Sequence, residues 1–381
     1  MSRPPLLFTP GPLTTRLETR RAMLNDWGSR EADFAALTAE LRERLLDVAF
    51  GRPSHVAVPL QGSGTFIVEA AVGTLVGPAG VLLVLANGAY GVRMAEIARR
   101  IGRKVEVLRW PEQQPVDPAS VERALAENPA ITHVGLIHCE TTTGILNSLA
   151  EIAAVVARQH RALIVDAMSS FGALPIDLRA TPITALLASS NKCLEGVPGI
   201  AFALVEKTAL ERAQGAAPSL CFDLYDQWRG FETNGQWRFT PPVQVAAALV
   251  EALRGLAAEG GPAARHARYA ANFRVLSEGM TRLGFRLFLD PAVQAPIIAT
   301  FHAPDDRRFQ FDQFYARLAE RGFVIYPGKL TETASFRIGC IGDLRPDKFK
   351  DLLEAVGEVM AELGIGHGAP PDAVRRAASG G

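Results

Sequence analysis

Apolar runs alternate with amphipathic stretches along the N-terminal part of the chain. The runs are short and rich in Val, Ile and Leu, which is typical of buried strands. Strands are predicted at residues 81–86, 105–110, 133–138, 162–165, 185–188 and 200–205. Helices are predicted between them at residues 90–101, 120–126 and 151–160, the second beginning at Asp117 and Pro118. This alternation predicts βαβ units, and hence an α/β fold with a mostly parallel central sheet and helices on both faces.

The pattern changes after Pro241 and Pro242, where helical periodicity dominates. Helices are predicted at residues 243–256, 263–283 and 309–321, an apolar helical stripe at 349–360, and strands at 297–301 and 335–338. We therefore predict an N-terminal arm (residues 1–14), a large domain (15–258) and a smaller α+β domain (259–365). Residues 366–381 are rich in Gly, Ala, Pro and Arg and lack periodicity, which predicts a disordered tail.

The charges and cysteines exclude several classes of function. The 40 Lys and Arg residues balance 40 Asp and Glu residues, so no overall field attracts the chain to nucleic acid or to an anionic membrane. The four cysteines form no CxxC pair, which argues against a metal site or a disulfide framework and favours a reducing cytoplasm. The apolar stretches at residues 6–8 and 72–86 are too short for a signal-peptide core and a membrane span, respectively.

Lys192 has an unusual setting for a lysine. It follows the apolar run at residues 185–188 and precedes small and apolar residues that include Gly196 and Pro198. Apolar surroundings disfavour a charged ammonium, and the neutral amine that they favour can attack an aldehyde to form an imine. The sequence therefore predicts a lysine that carries a carbonyl cofactor, against the alternative of an ordinary surface lysine.

Asp166 ends the predicted strand at residues 162–165. Ligands of open α/β sheets bind outside the carboxyl ends of the strands. A carboxylate at such a position can keep the ring nitrogen of a pyridoxal group protonated, and the protonated ring withdraws electrons effectively. The alternative is a helix-capping or loop aspartate.

Groups that suit an anionic, ring-shaped cofactor follow other strands. Ser63, Gly64 and Thr65 open a helix, and backbone N–H groups at such a start can hold a phosphate. The segment has neither the GxGxxG spacing of a dinucleotide site nor the GK[ST] of a P-loop, which disfavours nucleotide binding. Tyr90 and Thr142 each follow a strand end, where an aromatic face and a hydroxyl can contact a ring.

Taken together, these segments resemble the class V, fold type I pyridoxal-phosphate aminotransferases. Within that class they resemble the group that transaminates 2-aminoethylphosphonate with pyruvate. The likeness extends from residues 8–12 to 336–339. It is carried by residues 61–64, 87–91, 140–144, 165–172, 236–240 and 324–329.

The resemblance implies pyridoxal 5′-phosphate as the cofactor, with Lys192 as the Schiff-base lysine, Asp166 as the partner of the ring nitrogen and Tyr90 as the stacking aromatic. Further cofactor contacts are implied for Ser63, Gly64, Thr65, Thr142 and, across a dimer interface, Thr240. The implied assembly is a homodimer.

The resemblance also implies a substrate site that binds an amine donor and a 2-oxo acid. Arg337 matches the arginine that binds the substrate anion. The loop at residues 26–31 departs from some relatives, which carry Cys-Thr-Trp where Gly28, Ser29 and Arg30 stand here. Arg30 is therefore either a second anion contact or a solvated surface arginine.

The implied reaction converts 2-aminoethylphosphonate and pyruvate into phosphonoacetaldehyde and alanine, a step of phosphonate degradation. An alanine:glyoxylate or serine:pyruvate aminotransferase shares the cofactor residues and is the main alternative. A cysteine desulfurase, a non-catalytic protein of the same fold and an NAD-linked dehydrogenase fit the sequence less well. The glycine spacing does not support a dehydrogenase, and the cysteine positions do not support a desulfurase. The intact Lys192, Asp166 and Arg337 argue against a non-catalytic protein.

Overall fold

The computed structural model describes residues 4–328, 334–372 and 374. The strands are β1 (Leu6–Leu7), β2 (His55–Gly62), β3 (Val81–Ala86), β4 (Lys104–Arg109), β5 (His133–Ile137), β6 (Cys139–Glu140), β7 (Ile145–Leu146), β8 (Ala162–Asp166), β9 (Ala185–Ser189), β10 (Gly199–Glu206), β11 (Ile298–His302), β12 (Phe323–Val324), β13 (Tyr326–Pro327) and β14 (Ser335–Gly339). The α-helices are α1 (Leu17–Arg21), α2 (Ala32–Val48), α3 (Gly64–Leu75), α4 (Ala89–Arg100), α5 (Pro118–Glu127), α6 (Leu149–Arg158), α7 (Lys207–Arg212), α8 (Leu224–Asn234), α9 (Val243–Glu259), α10 (Gly261–Arg282), α11 (Phe311–Glu320) and α12 (Pro346–Glu362).

The central sheet has seven strands in the order β2-β10-β9-β8-β5-β3-β4. The pairs from β9 to β4 are parallel, and β10 runs antiparallel to both β9 and β2. The predicted mostly parallel sheet is therefore confirmed. Parallel strands run in the same direction, so the carboxyl ends of β3, β5, β8 and β9 lie at one end of the sheet. The loops that follow these strands are therefore brought together.

Helices cover both faces of this sheet, as predicted. Successive residues of a strand point to opposite faces, so Ile164 and Val165 of β8 belong to two different apolar clusters. The cluster around Val165 includes residues of α2, α5, α6 and α9. The cluster around Ile164 includes residues of α3, α4 and α8. Burial on both faces explains why these strands have no polar alternation.

The predicted helix start at Asp117 is confirmed. Its carboxylate accepts hydrogen bonds from the backbone N–H groups of Ala119 and Ser120, 3.1 and 3.0 Å away, and Pro118 is the first helical residue. This geometry satisfies N–H groups that have no partner within the helix.

The elements that were not predicted from the sequence include strand β2 and helix α2. Strand β2 contains Pro59, which argues against a central strand, but β2 lies at the edge of the sheet and pairs only with β10 among the described strands. Helix α2 buries Phe34, Thr38, Leu41 and Leu45. That spacing follows helical periodicity, so its signal was present in the sequence.

Contacts divide the chain into two compact units. Among the described residues, unit 1 comprises the chain up to Thr14, Thr141–Ile145 and the chain from His266 onward. Unit 2 comprises Thr15–Glu140 and Leu146–Arg265. The chain passes from unit 2 to unit 1 within α10, whereas the predicted limit between domains was placed at residue 258; the predicted domain division stays a prediction.

Unit 1 contains the antiparallel sheet β11-β14-β13, packed on an aromatic core that includes Phe301, Phe314, Phe336 and Phe349. The first residues of the predicted tail are hydrogen-bonded here. Gly368 N donates to Leu283 O at 2.9 Å, and Asp305 N donates to Ala369 O at 2.7 Å. The rest of the tail prediction, residues 373 and 375–381, lies outside the described residues, as does Lys329 of the segment 324–329.

Within the described part of the chain, no helix combines the length and the apolar character needed to cross a bilayer.

Candidate active site

Lys192 lies in a tight loop between β9 and β10 and is half-buried. The loop is closed by its own backbone: Ser190 N donates to Ile200 O at 3.0 Å, and Gly196 N donates to Ser190 O at 2.8 Å. A Cβ atom on Gly196 would lie 2.9 Å from the Ser190 carbonyl oxygen, so this turn requires glycine. Cys193, next to Lys192, is fully buried. The loop thus holds the lysine at a fixed backbone position beside the sheet.

A buried charge cluster fixes the other side of this loop. Glu195 adopts a left-handed conformation, with φ of 63°, and its carboxylate lies 3.7 Å from Arg265 Nη2 and 3.8 Å from Arg16 Nε. Arg265 also contacts Glu259 at 2.7 Å and donates from Nη1 to Cys193 O at 2.7 Å. Buried charges are tolerated when they are paired in this way. Sequence reasoning missed the cluster, because its members come from distant parts of the chain.

Asp166 is the last residue of β8 and is buried. Its Oδ1 accepts a hydrogen bond from Met168 N at 2.9 Å. Burial raises the pKa of Asp166 to about 7; the hydrogen bond from Met168 opposes the increase, the charge of Glu140 adds to it, and the charges of Lys192 and Arg93 oppose it. The buried carboxylate is therefore poorly compensated by the protein alone, and a cation placed against it would favour its charged form.

This environment suits the ring nitrogen of pyridoxal phosphate. A protonated pyridine would place a positive charge beside the Asp166 carboxylate. The charge of Lys192, the amine predicted to carry the cofactor, also acts on this carboxylate. The environment of Asp166 is consistent with its predicted role as partner of the ring nitrogen, and the roles of Asp166 and Lys192 stay predictions.

The predicted phosphate cradle lies at the start of α3. Ser63 is the N-cap residue with an extended backbone, and its hydroxyl makes no capping hydrogen bond to the first turn of this described helix. A Cβ atom on Gly64 would lie 2.7 Å from Met168 Sδ, which places this turn close to the segment that follows Asp166. Ser63 is exposed, and Gly64 and Thr65 are half-buried. A helix start with an available hydroxyl is suited to a phosphate.

Tyr90 lies in the first turn of α4. Its backbone N donates to Glu140 Oε2 at 3.1 Å, and Glu140 is fully buried. A Cβ atom on Gly88 would overlap Glu140 Cγ, so the glycine makes room for that carboxylate. The guanidinium carbon of Arg93 lies 4.7 Å from the centre of the Tyr90 ring. Sequence reasoning missed Glu140 and Arg93, which contact the predicted site residue Tyr90, although Glu140 begins the segment 140–144 that carries the family resemblance.

Two predicted site residues belong to unit 1. Thr142 is buried in the segment Thr141–Ile145, and Arg337 lies in the middle strand of the sheet β11-β14-β13. Arg337 Nε donates to Pro327 O at 2.9 Å, and its Nη1 donates to Thr141 O at 3.1 Å. Only 6% of Arg337 is exposed, so two backbone carbonyls hold a buried guanidinium next to Thr142.

Thr240 and Arg30 are both exposed. Thr240 follows a segment anchored on α8 and α2: Arg238 Nη2 lies 3.2 Å from Asp226 Oδ2, and Trp237 Nε1 donates to Thr38 Oγ1 at 3.2 Å. The structure therefore groups Lys192 and Asp166 with Arg93, and Thr142 with Arg337. It does not bring Thr240 or Arg30 into either group, and their roles stay predictions.

Comparisons with known proteins identify the family. A family model described as Aminotransferase class-V matches residues 28–330. A 2-aminoethylphosphonate–pyruvate transaminase from Pseudomonas putida (strain W619) is 56% identical over 365 residues, which cover 96% of this chain and 99% of the relative. A protein from Burkholderia lata named 2-aminoethylphosphonate–pyruvate transaminase 2 is 55% identical over 361 residues, covering 95% and 96% of the two chains.

Solved structures have the same fold. Pyridoxamine-pyruvate aminotransferase from Mesorhizobium loti is 27% identical with a TM-score of 0.87, covering 96% of this chain and 95% of that one. An alanine–glyoxylate aminotransferase from Nostoc sp. is 25% identical with a TM-score of 0.88, covering 94% and 96%. These findings confirm the fold type and the family resemblance seen in the sequence. The chain therefore belongs to the class V aminotransferases, enzymes whose cofactor is pyridoxal 5′-phosphate.

Proposed function

We propose that this chain transaminates 2-aminoethylphosphonate with pyruvate, giving phosphonoacetaldehyde and alanine, in phosphonate degradation. One observation carries the proposal: relatives with this named activity are 56% identical over 96% of the chain. Three residues support it separately: Lys192 provides an amine, Asp166 a buried carboxylate and Arg337 a buried cation.

Lys192 is the proposed proton carrier. When bound, pyridoxal phosphate supplies an aldehyde for the substrate amine and a ring that withdraws electrons from the neighbouring carbon. The Nζ atom of Lys192 takes a proton from the amine-bearing carbon of the substrate, in the manner of a general base. The closed backbone of its loop limits where that atom can reach.

Asp166 and Tyr90 orient and activate the ring in this proposal. The charged Asp166 carboxylate favours a protonated ring nitrogen, and burial strengthens the attraction because the local dielectric constant is low. Tyr90 offers an aromatic face whose position is fixed by the hydrogen bond from its backbone N–H to Glu140. Ser63, Gly64, Thr65 and Thr142 complete the proposed cofactor contacts.

Arg337 binds the anion of each substrate in turn, first the phosphonate of the donor and then the carboxylate of pyruvate. Its planar guanidinium can bind either group through parallel hydrogen bonds. The carbonyls of Pro327 and Thr141 orient it in advance, so little side-chain freedom remains to be lost on binding.

Replacing Arg337 by alanine should lower kcat/KM by at least about tenfold for each substrate, because each charge-assisted hydrogen bond contributes roughly 1.5 to 3 kcal/mol. Arg337→Lys should recover part of the loss, and the exposed Arg307→Ala in the same unit serves as the control. Single-turnover kinetics of both half-reactions measure the effect. Unchanged half-reactions in a folded Arg337→Ala protein would assign this arginine to structure alone.

An alanine:glyoxylate or serine:pyruvate aminotransferase is the alternative within the class, and a solved structure of the former type is 25% identical to this chain. The two assignments differ in the amine donor. We expect kcat/KM to be highest for 2-aminoethylphosphonate with pyruvate, in a panel that also contains serine and 2-aminoethanol with pyruvate and alanine with glyoxylate. Preference for serine, or for alanine with glyoxylate, would establish the alternative.

A homodimer completes the proposed site through Thr240 of the second copy. An exposed apolar patch (Phe66, Leu220 and Phe239, with 46%, 71% and 39% of each residue exposed) lies next to this threonine and to the start of α3. Its segments are joined, because Arg238 Nη1 donates to Leu220 O at 3.0 Å and Phe66 packs on Phe222 at 5.5 Å. Exposed apolar residues grouped in this way are typical of protein interfaces.

The double variant Leu220→Glu, Phe239→Glu should dissociate the dimer and weaken cofactor binding, because two buried like charges oppose association and the contact from Thr240 is lost. Sedimentation velocity and cofactor titration measure the two effects. Phe50→Glu, an exposed phenylalanine outside the patch, is the control. A monomeric wild-type protein with full activity would contradict the shared site.

We also infer a cytoplasmic location. The four cysteines are free thiols, and Cys139, Cys193 and Cys340 are buried. Free cysteines without disulfide partners are typical of proteins from reducing compartments.

A further inference from the structure

Arg93 contacts two groups of the proposed cofactor site and influences a third. Its Nη1 donates to Thr65 Oγ1 at 3.4 Å, and its guanidinium carbon lies 4.7 Å from the centre of the Tyr90 ring. Its positive charge also acts on the buried Asp166. Arg93 thus contacts both the phosphate cradle at the start of α3 and the aromatic face, and its charge acts on the carboxylate at the end of β8.

We propose that Arg93 is a cofactor-anchoring residue whose guanidinium binds the phosphate group of pyridoxal phosphate together with the start of α3. This inference rests on the assignment of the cofactor to this site and adds a ligand to it. The recognised chemistry is a phosphorus-centred oxyanion, for which the planar fork of arginine is well suited.

The cradle needs such a cation. A helix N-terminus contributes only about half an elementary charge, and the hydroxyls of Ser63 and Thr65 are neutral, whereas a phosphate monoester carries about −1.5 to −2 charges at neutral pH. A guanidinium held at the Thr65 hydroxyl balances much of that charge. It also keeps a positive charge in reach of Asp166.

The position of Arg93 on α4 separates it from ordinary surface arginines. It lies one turn after Tyr90, and residues three apart share a helix face, so the guanidinium lies over the Tyr90 ring while it contacts the cradle at Thr65. Arg100 of the same helix instead donates to Glu96 at 2.7 Å and is exposed. Arg100 therefore provides a matched control on the same helix.

The phosphonate of the amine donor has similar chemistry and is the rival ligand. Cofactor binding measured without any donor separates the two, and pyridoxal, which lacks the phosphate, separates a contact with the phosphate from a contact with the ring. We would measure equilibrium binding of pyridoxal phosphate and of pyridoxal to the cofactor-free wild type, Arg93→Gln, Arg93→Lys and Arg100→Gln. Thermal unfolding of each cofactor-free protein reports whether the fold is retained.

We expect Arg93→Gln to weaken binding of pyridoxal phosphate by at least about tenfold, equivalent to about 1.4 kcal/mol, and to change pyridoxal binding by less than about twofold. Arg93→Lys should lie between Arg93→Gln and the wild type, because lysine keeps the charge but not the fork. Arg100→Gln should match the wild type for both compounds.

Three results would overturn the proposal. Equal weakening for both compounds would assign Arg93 to the ring or to the fold, and unchanged binding of both would give it no anchoring role. Unchanged cofactor affinity with a raised KM for 2-aminoethylphosphonate at saturating cofactor would make the donor its ligand. Cofactor binding is measured without any amine donor. A different donor specificity from the one proposed would therefore not change how the binding results are interpreted.

Discussion

Lys192→Ala should abolish transamination, lowering kcat by at least about 10⁴-fold, because the variant loses both the amine that carries the cofactor and the general base that moves the proton. The protein should remain folded, since Lys192 is half-buried in a loop that its backbone hydrogen bonds close without the side chain. Purified wild-type protein should be yellow, and the variant should lack the absorption band of a covalently attached cofactor.

Lys207→Ala is the matched control for this variant. Lys207 is exposed at the start of α7, directly after β10, and its removal leaves the Lys192 loop unchanged. Steady-state rates, borohydride trapping and mass spectrometry of the labelled peptide provide the measurements. Normal turnover by Lys192→Ala, or attachment of the cofactor at another lysine, would remove the central role of Lys192.

Asp166→Asn should cause the second largest loss of activity. It should also make the cofactor-free protein more stable. Loss of the carboxylate removes an attraction to the ring nitrogen of about 4 kcal/mol at an effective dielectric constant near 20, so kcat/KM should fall by up to about a thousandfold. Asparagine has nearly the same shape, and its carbonyl oxygen can still accept the hydrogen bond from Met168 N.

The cofactor-free Asp166→Asn protein should be more stable than the wild type at pH 8. Folding raises the pKa of Asp166 from its unfolded value of 3.8 to about 7, mainly through burial. Between these values the folded protein binds a proton that the unfolded chain releases, so wild-type stability falls as pH rises from about 4 to 7 and stays lower above that. The stability advantage of the Asp166→Asn variant should therefore be full above about pH 7 and vanish near pH 4.

Differential scanning calorimetry of the two cofactor-free proteins between pH 5 and pH 8 tests this pH dependence. A variant that is less stable than the wild type at pH 8 would show that Asp166 is not a destabilised carboxylate. An active Asp166→Asn holoenzyme would show that the carboxylate does not activate the ring. Either outcome would separate the residue from its proposed partnership with the cofactor.

The sheet and its strand-end residues were predictable because their signals are local. Strands buried on both faces appear as uninterrupted apolar runs. Residues at or just after their carboxyl ends, such as Asp166 and Lys192, then lie at the same end of the parallel strands. Strand β2 was missed because Pro59 is tolerated only at a sheet edge, and edge position is a tertiary property.

The supporting residues of the site were not predictable for the same reason. Arg93 is one of many arginines on helices, and its contact with Thr65 exists only once α3 and α4 pack on one face of the sheet. The Arg265 and Glu195 contact joins segments that no sequence pattern connects. The roles of Thr240 and Arg30 depend on a second copy and on bound substrate, respectively, so they stay predictions.

The most direct test of the proposed function follows the reaction products in a single tube. Purified holoenzyme is incubated with 2-aminoethylphosphonate and pyruvate, and ³¹P and ¹H NMR spectra are recorded over time. We predict that phosphonoacetaldehyde and alanine appear in equal amounts, that both require pyruvate, and that neither forms with Lys192→Ala. Absence of phosphonoacetaldehyde, from a wild-type protein that transaminates alanine with glyoxylate or serine with pyruvate under the same conditions, would contradict the account.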